Sequence, residues 1–578
     1  MEAAYKTETL RKKIPTLELS GETQLPESTN CMACSEDGRY LSLGHSQGLS
    51  VWCASSLICI AEWLQDRLEV TSIQITSMAE KVYLLGTVDD MGVARVFAYH
   101  CERIHLLSVI NIMENINTRI ICLTFELSEG GGYGAASFSC NGSVWLEVCH
   151  FPSEAWLKEL EIAESKKQEP NSSEDVDVNW SPVAVVIKIK PPRIPGTTLD
   201  DPLEVLQMPA FFTNCLALDV ITSSSHQWDE QSSDTDVGKT NESPRRCTQH
   251  FLLPCGFIKP NSQPAGFPIA VGVWWSGSHN LFQYLLQKNP KNKADVEPVP
   301  DVLWPNAKEI LCSAVSRCTR YVALGLEDGL VCVWDRQSAS PLPVVSVSAA
   351  DSAFCRMQIV DYCPKSADDS QTFTAAKVSL LVLCKSGVIH TVTTGRGGQP
   401  CTAQLNERPN DSGELQTVTA SVRFLQSLLL VVQRNGKIFL QDVIKKTIVC
   451  FLILPATHLI ASPCTPVYVL DTKQQTLFIK GDPELSCNAS SKGGSQSQLF
   501  IFHFGEPDIF KKNIVSLPDS PGQQNTPSCA TLEESCSLYL QQRALSVDER
   551  HKAITQTWKQ LQETAVAVEQ RHSRAAAS

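Results

Sequence analysis

Residues 316–335 read SRCTRYVALGLEDGLVCVWD: a small polar turn, an apolar run from Tyr321 to Leu326, an Asp-Gly pair at Asp328 and Gly329, and a second apolar run closing on Val333-Trp334-Asp335. Asp-Gly tolerates the positive φ of a tight turn, so two apolar runs on either side of it predict an antiparallel hairpin. The pattern recurs along the chain. LSLGHSQGLSVW turns at Gly48, YLLGTVDDMGVARVF at Gly92, ASFSCNGSVWLEV at Gly142 and VGVWWSGSHNLFQYL at Gly277, while LLVLCKSGVIHTV and LLVVQRNGKIFLQD turn at Gly387 and Gly436. Successive turn glycines lie 44, 50, 135, 52, 58 and 49 residues apart.

Apart from the long interval, that is the period of a four-stranded propeller blade with loop insertions, whereas a sandwich or barrel of generic hairpins rarely keeps it. An all-β propeller is therefore expected. VYVLDTKQQTLFI (467–479) offers an eighth hairpin, and the interval of 135 has room for another blade built on VAVVIKI (183–189) and CLALDVI (215–221). The count lies between seven and nine blades, nine pointing to two propellers or an irregular one. Residues 316–335 resemble the WD-repeat blade, and CSEDGRYLSLGHSQGLSVWC (34–53) resembles it too, with Cys53 where the closing Asp is expected. The resemblance implies that Trp334 and Trp52 pack between neighbouring blades and that Asp335 satisfies donors at the strand end. Gly48, Asp328 and Gly329 would then make the turns. Most of the other copies lack the Gly-His element of that family, which predicts departures from regular blade geometry.

The order of LPESTNCMACSEDGRYLSLGHSQGLSVW, LLGTVDDMGVARVF, an acidic mid-chain insert and a helical tail is similar to WD-repeat proteins of motile cilia and flagella. That resemblance implies a scaffold of the axonemal central apparatus, prominent in testis, with other axonemal proteins as partners.

Composition narrows the class. The chain has 578 residues, 43% hydrophobic and 19% charged, with a formal net charge of -13. It can bury a sizeable core, and it lacks the basic face that phosphate backbones and anionic membranes require. The apolar run from Thr447 to Ile460 is too short to span a bilayer and is interrupted by Pro455 and His458. The N-terminus carries Arg11, Lys12 and Lys13 with no apolar region behind them, so no secretory or mitochondrial signal is read there. Twenty-three cysteines, an odd count spread through apolar runs, fit a reducing, cytoplasmic setting better than a disulfide framework.

The expected organisation is an N-terminal extension (1–27), a propeller (28–505), a linker (506–530) and C-terminal helices (531–573). Two Ser-rich acidic stretches, 165–181 and 223–246, are expected to be disordered insertions, because they cannot bury enough apolar surface to order themselves. In the tail, Thr531 with Glu534 and Ser546 with Glu549 match capping boxes. Val547, Ile554, Leu561 and Val568 then recur every seven residues, and Trp558 follows Ile554 on the same stripe. This helix either braces the propeller or binds a partner.

Candidate chemistry fails on spacing. Cys31 and Cys34 form a CxxC without a second ligand pair for zinc, and they precede a strand, not a redox-active helix. EGGGYG (129–134) and GRGGQP (395–400) lack the Lys-Ser/Thr of a phosphate loop. The Asn-x-Ser sequons at Asn141, Asn171, Asn241 and Asn488 matter only if the chain is exported. No catalytic residue, cofactor or metal is expected. The chain reads as a non-enzymatic scaffold that works through the propeller faces and the tail. An adaptor for ubiquitin-ligase or vesicle-coat assembly is the alternative, and a redox, metal or respiratory-chain protein the least favoured.

Overall fold

In the computed structural model, the described residues are 14–111, 119–167, 179–192, 246–254, 268–286, 298–347 without 307 and 338, 353–360, 377–395, 399–405, 416–462 without 423, 426 and 434, 465–483, 496–505, 510 and 559. The stretch that opened the sequence reading shows how a blade is built. Ile310–Val315, Tyr321–Leu326 and Leu330–Asp335 pair antiparallel, with Val322 opposite Trp334 and Leu324 opposite Cys332, and the outer edge is completed by Ser340–Pro341 and Val345–Ser346. Side chains alternate across this sheet. Val322, Leu324, Cys332 and Trp334 join Trp274, Leu281 and Trp304 of the preceding blade. Ala323, Val331 and Val333 face the other way and join Leu380, Val382 and Val392 of the next. Both faces are covered, so these strands are apolar without interruption, as in any sheet packed on both sides.

Eight such sheets exist among the described residues. Six lie in one compact unit formed by residues 28–404. Before the blade just described they comprise Cys31–Cys34 to Cys59–Leu64, Val70–Ala79 to Arg103–Val109, Ile121–Leu127 to Ala184–Ile189, and Cys247–Leu252 to Val302–Pro305. The sixth runs from Phe354–Val360 to Cys401–Gln404. A separate apolar cluster fills each seam between consecutive blades of this unit.

The other unit holds the last two sheets, joined by the cluster around Leu430, Leu440, Ile479, Phe500 and Phe502. Its strands come from both ends of the sequence. Gly21–Gln24 pairs antiparallel with Gln498–His503, and Thr16–Leu17 adds in parallel to Ile448–Leu452. Residues set before the propeller by the sequence reading thus add strands to both sheets of this unit. VYVLDTKQQTLFI forms a hairpin of this unit, as Tyr468–Asp471 pairs with Thr476–Pro483.

All seven glycines of the recurring hairpins have positive φ. The extra blade considered within the 135-residue interval is corrected on one point: the strand Ala184–Ile189, from VAVVIKI, closes the third blade instead of opening a new one. CLALDVI lies outside the described residues. The interval also holds a helix that the sequence reading missed, Ser153–Lys167. Its Trp156, Leu160 and Ala163 fall at helical spacing and are buried, Trp156 and Leu160 within the seam between blades 2 and 3. The Trp156 indole donates to the Ser181 carbonyl at 2.8 Å, and Glu159 accepts from the Ser181 amide and hydroxyl. Both ends of the 165–181 stretch are therefore ordered, while 168–178 and 223–245 lie outside the described residues.

Polar contacts also cross two of these seams. Gln249 of blade 4 donates to Thr124 of blade 3, and His250 shares the Ser313 hydroxyl of blade 5 with the Trp274 indole. Burial pushes His250 down to about 4, so it is neutral at ordinary pH. On the strand of Thr124, Glu126 is half-buried, and the loss of solvation pushes its carboxyl up to about 7. The unfolded chain releases that proton near pH 4.5 and the folded chain only near 7, so this group's contribution destabilises progressively between those values and is constant above them. Glu126→Gln should raise the melting temperature most above pH 7, with the gain shrinking toward pH 4.5. A gain that is equal at pH 5 and pH 8 would contradict this.

Candidate interaction face

The blade-motif residues first serve the fold. Trp334 is 2% exposed, meets Trp304 edge-on at 5.1 Å between ring centroids, and points its indole N–H at Asn306 Oδ1 at 3.4 Å. Asp335 accepts two hydrogen bonds from the Arg320 guanidinium, at 3.0 and 3.2 Å, and a third from the Gln337 amide. The next residue, Arg336, escaped sequence reading. It is buried and donates to the carbonyls of Leu253 at 3.1 Å and Thr319 at 2.6 Å, tying blade 5 to the end of a blade 4 strand. Asp328 takes φ 63° in the turn and ion-pairs with Lys308 at 3.1 Å. Gly329 follows at φ 70°.

In blade 1, Trp52 is half-buried and donates to the Ser50 hydroxyl at 2.9 Å. Cys53 occupies the place of Asp335. Its thiol lies 3.2 Å from the Ser55 hydroxyl, and hydrogen bonds from Ser55 and Ser56 bring it down to about 7. Burial instead pushes Cys59 up to about 11 and Cys31 and Cys122 up to about 12. Because the thiolate is the nucleophile, Cys53 should be alkylated by iodoacetamide ahead of these three, with a rate midpoint near pH 7 against about 8.5 for an ordinary thiol. Peptide mapping after brief labelling checks this, and a midpoint of 8.5 or higher would rule it out.

The other chemical candidates resolve into structure. Cys31–Cys34 is a strand, so residues three apart face opposite sides, and the Cys31 thiol donates to the Val70 carbonyl. Glu129–Gly131 is a single turn with Gly130 and Gly131 at positive φ. Asn141 sits in the turn before Gly142, and the other three sequons lie outside the described residues. Among the described residues, no group of three or more His, Cys, Asp or Glu could hold a metal ion, and no helix is long and apolar enough to cross a membrane. The tail residues Val547, Ile554, Trp558, Leu561 and Val568 lie outside the described residues.

A groove that the sequence reading did not foresee opens between blades 2 and 3. The turn after Val82–Asp89 packs against the segment entering Ile121–Leu127, with the Cys122 amide on the Gly92 carbonyl at 2.8 Å. Asn111 clasps the pair: its amide donates to the Gly92 and Ile120 carbonyls, and its oxygen accepts from the Ala94 amide. Asp89 stiffens the turn by accepting from the Val93 amide and ion-pairing with Arg95 at 2.6 Å. The cavity so framed holds about 260 Å3, with Thr71, Val88, Asp90, Gly92, Ile121 and Leu123 among its lining. Ile121 and Leu123 are 37% and 45% exposed, and Met91 at the rim is 42% exposed. No chain-local signal could have found it, because residues 71–92 and 121–125 belong to different sheets and meet only where blades 2 and 3 pack together.

Repeated four-stranded sheets, turn glycines at positive φ, and a Trp-Asp pair closing a blade against its neighbour define a WD-repeat β-propeller. The sequence model of WD repeat-containing protein 93 matches residues 29–331, just over half of the chain, and the chain belongs to that family. Among solved structures, Sqt1 of Saccharomyces cerevisiae is similar at 9% identity over 85% of this chain and 99% of that one, with a TM-score of 0.43. Chaetomium thermophilum Sqt1, bound to the N-terminus of ribosomal protein L10, matches at 11% identity over 82% and 97%, with a TM-score of 0.43. The β-propeller domain of Myceliophteria thermophila Cps50 (Swd1) matches at 9% identity over 84% and 99%, with a TM-score of 0.36. At such scores they bear on neither partner nor activity.

Proposed function

We propose that the chain is a non-enzymatic protein-interaction scaffold of the motile cilium or flagellum, held in the axonemal central apparatus. Membership of the WD repeat-containing protein 93 family carries this reading. The geometry agrees with it: the distinctive polar side chains, Asp335, Arg320 and Arg336, are engaged in joining strands and blades and are not presented to a reacting group. Exposed apolar side chains instead gather around the groove between blades 2 and 3. The apolar stripe of the tail would serve as a second docking element, through helix-in-groove contacts with a partner. Expression of the tagged full chain in ciliated cells tests the assignment. Signal along the axoneme that survives detergent extraction is expected, and signal confined to the soluble cytoplasm would favour an adaptor elsewhere.

A further inference from the structure

The groove between blades 2 and 3 has a chemistry of its own. Three exposed aliphatic or thioether side chains, Met91, Ile121 and Leu123, surround a cavity of about 260 Å3. That is below the roughly 300–1,000 Å3 of a drug-sized ligand pocket, so it suits a single side chain and not a cofactor. An exposed carboxylate, Asp90, flanks the apolar surface. Asp90 lines the cavity and is exposed, and its amide donates to the carbonyl of Glu69, whose own carboxylate accepts from Asn30 at 2.7 Å. The nearby cation, Arg119, is turned onto the Met91 carbonyl at 2.6 Å. The rim is held in place by Asn111 and Asp89, so the groove is formed before anything enters it.

We propose that this groove docks a short segment of a partner protein in which an aliphatic side chain lies next to a lysine or arginine. The aliphatic group enters between Ile121 and Leu123, and the cation meets Asp90. This reading rests on the scaffold function proposed above and names the partner chemistry at one of its faces. Apolar burial supplies most of the affinity, while the Asp90 carboxylate decides which segments are accepted, as charge complementarity does at other interfaces.

The test uses the full chain and an acetylated pentapeptide carrying photo-leucine between lysine and arginine, with crosslinks mapped by mass spectrometry. Crosslinks should concentrate on residues 88–92 and 119–125. Replacing the peptide's two cations with glutamate should reduce the yield about tenfold, as expected when weak exposed ion pairs become repulsions. Asp90→Lys should reverse that preference and Leu123→Ser should lower the yield for both peptides. Both positions are exposed, so the variants should fold, and unchanged melting temperatures verify it. Crosslinks scattered over the surface, or a yield indifferent to Asp90→Lys, would overturn the proposal. A groove that fails this test while the tagged chain still sits on the axoneme would leave the scaffold function standing and place docking elsewhere.

Discussion

Trp334→Ala is expected to lower the unfolding free energy by about 3–5 kcal/mol, the usual loss when a large buried aromatic is deleted from a core. The indole fills the seam between blades 4 and 5, touching Trp304 on one side and reaching Asn306 at its tip. Its removal therefore leaves a cavity and an amide oxygen with one donor fewer. Trp52→Ala is the internal control. Trp52 is half-buried and its indole reaches only a neighbouring serine on its own strand, so its loss should cost clearly less. Denaturant titration of both variants measures the difference. Equal effects would mean that the seam does not concentrate stability at Trp334.

Gly48→Ala carries the second large effect, and for a different reason. Gly48 has φ 132°, where L side chains are rarely found, and a Cβ added there would run into the backbone carbonyl of Trp63 on the adjacent strand. Neither obstacle can be relieved by rotating a side chain. The chain must open the pairing of Gly48–Cys53 with Cys59–Leu64, which holds Gly48 opposite Leu64. A loss of about 3 kcal/mol or more is expected, from backbone strain of roughly 1–3 kcal/mol plus the disrupted ladder. Gly142→Ala is the matched comparison: its φ is 80°, but nothing lies within 4 Å of an added Cβ. It should pay for strain alone. A Gly48 variant as stable as the Gly142 variant would refute the steric part of this account.

The contrast between these glycines marks where sequence reading works. That Gly48, Gly92, Gly142, Gly277, Gly329, Gly387 and Gly436 stand at turns could be read directly, because a positive φ is a demand made by a few adjacent residues. Which of them also receives a neighbouring backbone could not. Outer strands show the same limit. Gly21–Gln24 reads GETQ, with no apolar side chain to betray it, and it is held to Gln498–His503 by main-chain hydrogen bonds. The helix Ser153–Lys167 did carry a signal, Trp156, Leu160 and Ala163 at helical spacing. The Ser-rich stretch beginning at Ser165 masked it.

The sequence by itself determined the all-β architecture and the hairpin turns, since paired apolar runs and turn chemistry are encoded within a dozen residues; the Trp-Asp closure of blade 5 was implied by resemblance to the WD-repeat blade. Tertiary structure alone decided the rest: that Arg336 reaches Leu253, that Glu126 loses much of its solvation, and that Asp90, Ile121 and Leu123 share a groove. These depend on which strand edges and blade faces come together. Backbone pairing is nearly indifferent to side-chain identity, so the chain carries no local mark of what it will meet.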